Sequence, residues 1–320
     1  MMDWTDRHCR FFHRLLTRHA RLYTEMVTTG ALLHGDVPRH LDFNTQEHPA
    51  ALQLGGSEPD DLAHCARLAE DWGYDEINLN CGCPSERVQR GAFGACLMAE
   101  PLLVRDCVKA MVDALRKPDA IPVTVKHRIG IDRTDSYAFV RDFVGTVSEG
   151  GARVFIVHAR SAWLKGLSPK ENREVPPLRY DYAAQLKRDF PDFTVVVNGG
   201  IASHPEVASQ LQSADGVMIG RQAYHDPWWM VETDARWFGD ASPTMSRMGV
   251  VEQMVDYAAG QVVRGVPLRA ITRHMLGLYQ GVPGARAWRR LLSDASRLKA
   301  NDPQLIREAA RLAEPLQMAA

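Results

Sequence analysis

Seven short runs rich in valine, isoleucine and leucine, separated by stretches long enough for amphipathic helices, constrain this chain more than any other feature. They are Leu22–Val27, Ala50–Leu54, Glu76–Asn80, Pro122–Arg128, Val154–His158, Thr194–Asn198 and Gly216–Ile219. Each has the length of a strand, and most are apolar without strict alternation, as in parallel strands covered on both faces. The connectors agree. Ser57-Glu58-Pro59-Asp60 offers a cap at Ser57, a proline in the first turn and early acids; Leu62, Ala66 and Ala69 then fall on one helical face, and Gly73 follows the end. Leu102–Lys117, Ser136–Glu149 and His204–Leu211 repeat the pattern, the last with Ser203 as cap and Pro205 in its first turn.

Strand and helix in such alternation predict an α/β fold, a (β/α)8 TIM barrel rather than an open doubly wound sheet. Eight strands would need a first one before Met1, so the expected barrel lacks its first strand in this chain. After Gly239 no strand-like run remains, and Met245–Arg264, Leu268–Leu278, Ala285–Ala300 and Pro303–Met318 read as helices. The expected organisation is a barrel domain over 1–239 and an all-helical domain over 240–320, which 320 residues accommodate.

Composition narrows the function. Hydrophobic residues at 45% and charged residues at 24% exclude a disordered, collagen-like or coiled-coil chain. No apolar run reaches the roughly 18 to 20 residues needed to span a bilayer, and Met-Met-Asp-Trp-Thr-Asp is no signal peptide, so a cytoplasmic protein is expected, as a monomer. The six cysteines fall in the first third of the chain, and without an export signal reduced thiols are expected. The net charge of −1 hides an asymmetry: residues 260–300 hold eight basic residues against the single acid Asp294. That segment is a candidate nucleic-acid contact.

In barrels of this kind the active site lies at the C-terminal ends of the strands. The residues at those ends are Gln53, Asn78 and Asn80, Lys126 and Arg128, His158 and Arg160, and Asn198. Asn198 runs into Gly199-Gly200 and the last strand into Gly220-Arg221, two glycine loops where phosphate sites of such barrels fall, which points to a phosphate-bearing nucleotide cofactor. Lys126 suits either a Schiff base or the negative charge of a reduced flavin ring. Gln53 and His158 suit the edge of a planar heterocycle. Asn80-Cys81-Gly82-Cys83-Pro84 provides one Cys-x-Cys pair, two of the four ligands zinc usually needs, so no metal is expected. Cys83 is instead a candidate general acid, since a thiol with a pKa of ~8.5 stays mostly protonated at neutral pH.

Met2-Asp3-Trp4-Thr5-Asp6-Arg7, Gln53-Leu54-Gly55-Gly56, Asn78 to Pro84, Lys126-His127-Arg128, His158-Ala159-Arg160, Asn198-Gly199-Gly200 and Gly220-Arg221 together resemble the tRNA-dihydrouridine synthases. Ser168-Pro169-Lys170-Glu171-Asn172-Arg173-Glu174 and Gly284 to Arg290 resemble the A-type branch, which modifies positions 20 and 20a of the D-loop. The resemblance implies an FMN enzyme that uses NADPH to reduce the C5–C6 double bond of uridine in tRNA. It assigns FMN contacts to Gln53, Lys126, His158, Asn198, Gly199, Gly200, Gly220 and Arg221, with Met1 and Met2 as the end of a further FMN loop. It makes Cys83 the acid that protonates C5 after hydride reaches C6. Asn80, Lys170, Arg173, Arg286 and Arg289 match positions associated with tRNA. Two departures stand out: the strand and Ala-Pro that precede the Met-Asp-Trp motif in relatives are not in this sequence, and Cys81 replaces an apolar residue. A reductase of free pyrimidines and an RNA-binding barrel without chemistry are the competing readings.

Overall fold

A computed structural model describes residues 1–85, 88, 91–117 and 121–314. It divides into two compact units, one of Tyr23–Phe43 and His48–Gly220, the other of Met1–Leu22, Asn44–Glu47 and Arg221–Ala320.

The first unit is built on seven strands: β1 (Leu22–Thr28), β2 (Ala50–Gly55), β3 (Glu76–Cys81), β4 (Val123–Arg128), β5 (Val154–His158), β6 (Thr194–Asn198) and β7 (Gly216–Met218). They lie in sequence order across one sheet, and β2 to β7 pair in parallel. Helices Pro59–Trp72, Pro101–Ala114, Tyr137–Ser148, Tyr180–Asp189 and His204–Gln210 fall between successive strands from β2 onward. This is the α/β alternation expected from sequence. β4 begins at Val123 rather than Pro122 because proline has no N–H for the ladder, although its carbonyl still accepts from Ile77 N at 3.1 Å.

Register separates the two faces of the sheet. Ile77, Val123, Leu79, Val125, Phe155, Val157, Val195 and Val197 are buried and stand in register with one another, forming one apolar face. His127 belongs to it and meets Phe143 of the helix Tyr137–Ser148 with ring centroids 5.3 Å apart. Glu76, Asn78, Asn80, Thr124, Lys126, Arg128, His158 and Asn198 occupy the alternate positions and so share the other face.

The connecting helices start and stop for local reasons. Ser57 does not cap Pro59–Trp72; Glu58 holds the cap position without a side-chain bond, and Pro59 with Asp60 and Asp61 makes the first turn. Leu62, Cys65, Ala66 and Ala69 are its buried stripe, and Gly73 ends it in the left-handed region at φ 81°. Ser136 caps the helix after β4, and Ser203 with Glu206 forms a reciprocal cap after β6.

The described elements of the second unit are helical, among them Arg7–Arg14, Arg247–Val263, Leu268–Thr272, Ala285–Leu292, Ala295–Leu298 and Gln304–Ala313. Phe12, Leu16, Met254, Ile271, Leu278, Trp288 and Ile306 meet in its core. Trp288 Nε1 donates to the carbonyl of Met275 at 3.0 Å, so the largest buried ring leaves no polar atom unanswered. The helix expected over Ala285–Ala300 is broken, because Asp294 turns its carboxylate back to accept from Ser296 N and Arg297 N and starts a new helix. Leu268–Leu278 is helical only to Thr272, and Pro303–Met318 only over Gln304–Ala313, with 315–318 outside the described residues. No helix among the described residues is long and apolar enough to cross a membrane.

One ion pair in this unit is sealed from water. Arg10 Nε donates to Glu47 Oε2 at 2.6 Å, with side-chain exposures of 5% and 0%. Glu47 Oε1 accepts from the backbone and side-chain nitrogens of Asn44, each at 2.7 Å. Removing one partner of a buried pair strands the other charge, so Arg10→Met should lower unfolding stability by about 3 to 5 kcal/mol, measured by chemical denaturation.

Candidate active site

The Glu-Ile-Asn-Leu-Asn-Cys sequence of β3 alternates polar and apolar residues, which in a half-exposed strand would turn Glu76, Asn78 and Asn80 to water. All six residues are buried. The three polar ones are satisfied within their own face of the sheet. Asn80 Oδ1 accepts from the backbone N–H groups of Gly82 and Cys83, each at 3.0 Å, and Asn80 Nδ2 donates to Gln53 Oε1 at 2.9 Å. Gln53 Nε2 donates to Asn78 Oδ1, and Asn78 Nδ2 to Thr124 Oγ1, both at 2.8 Å. The Thr124 hydroxyl donates to Glu76 Oε1 at 2.7 Å.

Asn80 therefore fixes the start of the loop that carries Cys83. The Cys83 carbonyl accepts from Ala95 N at 2.9 Å, and its partly buried thiol lies 3.5 Å from Ser85 Oγ. Gly94 sits at φ 76°, and a Cβ there would stand 2.6 Å from the Cys83 carbonyl oxygen, so only glycine lets the two backbones approach. Cys81 differs in every respect. It is fully buried, it is in register with His127 on the apolar face, and burial pushes its thiol well above the ordinary range.

β4 adds the charge. Lys126 Nζ donates to Asn198 Oδ1 at 3.0 Å, and Asn198 Nδ2 to the Met218 carbonyl at 2.8 Å. Burial pushes the Lys126 amine down to about 7; Arg128 adds to the fall and Cys83 opposes it. Arg128, buried and drawn down to about 10 mainly by desolvation, donates to the carbonyls of Gly82 at 3.1 Å, Ser161 at 3.2 Å and Asn172 at 2.8 Å. His158 is held well below its usual range by burial first, then by Arg128, Lys126, Arg160 and Arg173. These four neighbours are all positive. A group with that surrounding favours an anion beside it.

The loop after β5 is organised by a residue that sequence reading left without a role. Asn172 is fully buried; its Oδ1 accepts from Trp163 N at 2.7 Å and its Nδ2 donates to the carbonyls of Trp163, Leu167 and Ser168. Lys170 and Arg173 on either side of it are exposed. Arg128 was legible as a strand-end residue, since Lys126 and Arg128 alternate onto one face, but its three carbonyl partners were not. Past β6, Gly199 and Gly200 adopt φ 113° and 74°, and a Cβ on Gly199 would lie 2.6 Å from His158 Cδ2. Tyr180, also missed, donates its hydroxyl to the Gly199 carbonyl at 2.5 Å. Gly220 follows β7.

Gln53, Asn80, Cys83, Lys126, His158, Asn198, Gly199, Gly200, Gly220, Lys170 and Arg173 thus all lie in the sheet unit; hydrogen bonds link Gln53 to Asn80 and Lys126 to Asn198, and His158 stands in register with Asn198. A cavity of about 350 Å³ opens near the ends of β1 and β2, lined by Thr28, Thr29, Gly55, Gly56 and Phe93 among others, but it includes none of these residues. The remaining predicted residues, Met1, Met2, Arg221, Arg286 and Arg289, belong to the helical unit. There Trp288 and Leu292 turn inward while Arg286 and Arg290 are exposed, and Arg289 donates to Gln280 Oε1 at 3.0 Å. Asp6 takes Arg273 and Glu308 takes Arg297, whereas Arg264, Arg269, Arg286, Arg290 and Lys299 are exposed without an ion pair among the described residues.

Residues 1–315 match a family model described as dihydrouridine synthase (Dus). The chain belongs to the dihydrouridine synthase family. Curated relatives of high similarity include a tRNA-dihydrouridine(20/20a) synthase of Pseudomonas putida, 61% identical over 92% of this chain and 86% of that protein. Proteins of the same name from Vibrio parahaemolyticus and Salmonella typhimurium are each 56% identical, over 97% and 98% of this chain and 94% and 93% of their own lengths. The family match runs through both compact units, so the basic helical segment is as much a part of it as the sheet.

Lys126 links the site to stability. An unfolded lysine titrates near ~10.4, so between about pH 7 and 10 the unfolded chain binds the extra proton and stability rises with pH; below pH 7 the contribution is constant. Lys126→Met should therefore flatten the pH dependence of the denaturation midpoint across that window, and an unchanged slope would refute the depressed amine.

Proposed function

We propose that this protein reduces the C5–C6 double bond of uridine to 5,6-dihydrouridine in the D-loop of tRNA, at positions 20 and 20a, with FMN as cofactor and NADPH as electron donor. The observation that carries this reading is a clamped, partly accessible Cys83 thiol near the half-buried Lys126 and the buried Arg128. The relatives' shared name supplies the substrate class. In this reading the seven strands are part of a (β/α)8 barrel, and 240–320 is a helical tRNA-binding domain.

The residues fit a flavin nucleotide. The left-handed glycine loop at Gly199 and Gly200 leaves backbone room for a phosphate, the positive surroundings of His158 suit an anion, and Gln53, Lys126 and His158 offer donors to a polar ring edge. Met1, Met2, Gly220 and Arg221 join that set by motif match. FMN, when bound, supplies the hydride for C6 of the uracil. The protein's own part is the proton at C5, which the Cys83 Sγ gives up. Asn80 positions that thiol by holding the backbone N–H of Cys83, and the motif match assigns tRNA contacts to Asn80, Lys170 and Arg173.

A uracil stacked within the folded tRNA must leave its stack to reach such a site, at a cost of a few kcal/mol. Contacts of phosphates with Arg286, Arg289 and the other exposed bases of the helical unit offset it. We place the protein in the cytoplasm, acting as a monomer.

The deciding experiment is a visible spectrum of purified protein, anaerobic bleaching by NADPH and reoxidation by unmodified tRNA. Cys83→Ala should keep the flavin and its bleaching but lose nearly all reoxidation by tRNA, while Cys81→Ala does little; equal loss from both would overturn the assignment of the acid. Binding of tRNA should weaken steeply with salt. Replacing Arg286 and Arg290 with glutamine should reduce the slope of log affinity against log salt by about 2, one for each phosphate that is no longer neutralised.

A further inference from the structure

We propose that Glu76 and Thr124 are positioning residues, acting through a one-way hydrogen-bond chain that fixes how the Gln53 and Asn80 amides face and how the Cys83 loop is held. This rests on the reading of Gln53, Asn80 and Cys83 as cofactor, tRNA and acid residues.

The direction of the chain follows from its two ends. The backbone N–H groups of Gly82 and Cys83 can only donate, so Asn80 presents Oδ1 to them, at 3.0 Å each, and has only Nδ2 left for Gln53. Gln53 meets it with Oε1 at 2.9 Å and so turns Nε2 to Asn78 Oδ1 at 2.8 Å. Asn78 then has Nδ2 for Thr124 Oγ1 at 2.8 Å. Thr124, whose hydroxyl holds a single hydrogen, passes it to Glu76 Oε1 at 2.7 Å, and the same oxygen accepts from the Tyr23 hydroxyl at 2.7 Å. A carboxylate accepts without donating, so the chain terminates there.

Nothing in this path is adjustable alone. Gln53, Asn78 and Thr124 stand side by side in register on β2, β3 and β4, and Asn78, Thr124 and Glu76 are buried beyond the reach of bulk water. Reversing any one amide would set oxygen against oxygen and nitrogen against nitrogen. Glu76 at the start of β3 thus specifies, through the three side chains of Thr124, Asn78 and Gln53, that Asn80 offers an oxygen to the backbone of the Cys83 loop. Lys126 and Asn198 form a separate pair, so this control bears on the Gln53 and Asn80 side of the site.

The test compares Thr124→Val, which keeps the shape and removes the hydroxyl, with Thr124→Ser, which restores the hydroxyl and removes the methyl group. Two readouts are taken: FMN affinity by fluorescence titration, and the rate at which iodoacetamide alkylates Cys83 in the flavin-free protein, followed by peptide mapping. The valine substitution should weaken FMN by about tenfold and change the alkylation rate by about threefold or more. The serine substitution should return both to within about twofold of the parent protein. Parent-like behaviour of Thr124→Val on both readouts overturns the proposal, and so does equal impairment by the two substitutions, which would indicate packing alone. Should Thr124→Val fail to fold, Glu76→Gln takes its place: an amide at position 76 can donate as well as accept, so both readouts should move in the same direction, and no change in either overturns the proposal. If the parent protein binds no FMN, the functional reading fails while the alkylation rates still decide the positioning role.

Discussion

On the polar face of β3 and β4 no water reaches Glu76, Asn78 or Thr124, and every hydrogen-bonding atom there must find its partner in the protein. Most strands of this chain are held by ordinary ladders between apolar rows. The site depends on something narrower, the acceptance by Asn80 Oδ1 of two consecutive backbone N–H groups. It ends the strand, turns the chain and sets where a thiol stands. Arg128 secures the same turn from the other side through the Gly82 carbonyl, and Ala95 secures the Cys83 carbonyl. A side chain whose position must be held within a fraction of an ångström gains from such a scaffold.

The cations near this turn carry the opposite logic. Lys126 and Arg128 lie close to His158, with desolvation the leading influence on all three, an arrangement that disfavours the charged form of each. In the helical unit the balance is struck differently: Arg10 is sealed against Glu47, and Arg273 is committed to Asp6, whereas Arg286 and Arg290 remain exposed. Positive charge there is divided between holding the unit together and facing solvent.

The strands were readable because their apolar runs coincide with buried rows, and their ends fall within a residue or two of those expected. Strand ends in turn exposed Gln53, Asn80, Lys126, His158 and Asn198 as candidates. Glu76 and Thr124 escaped notice because each is unremarkable alone, and their bond joins positions 48 residues apart in the chain. The alternation in β3 even argues for exposure, which only partners from β2 and β4 reverse. Asn172 sits inside the charged motif Ser168 to Glu174, in which the motif match assigns roles only to Lys170 and Arg173, yet it is the buried peg of that loop. Asp294 misled for a related reason: an acid inside a basic amphipathic run reads as one exposed helical residue, and only its backbone partners make it a cap.

Arg128 gives the site a mechanical property as well as a charge. Its guanidinium donates to carbonyls at 82, 161 and 172, which belong to the loop after β3 and to two points of the loop after β5. Loops that share a buried donor cannot lift away independently, since opening either one strands N–H groups of the same cation. Amide protons around Gly82 and around Asn172 should therefore exchange through a common opening event, and a disturbance of the exposed rim at Lys170 or Arg173 is transmitted to the thiol loop as one rigid displacement.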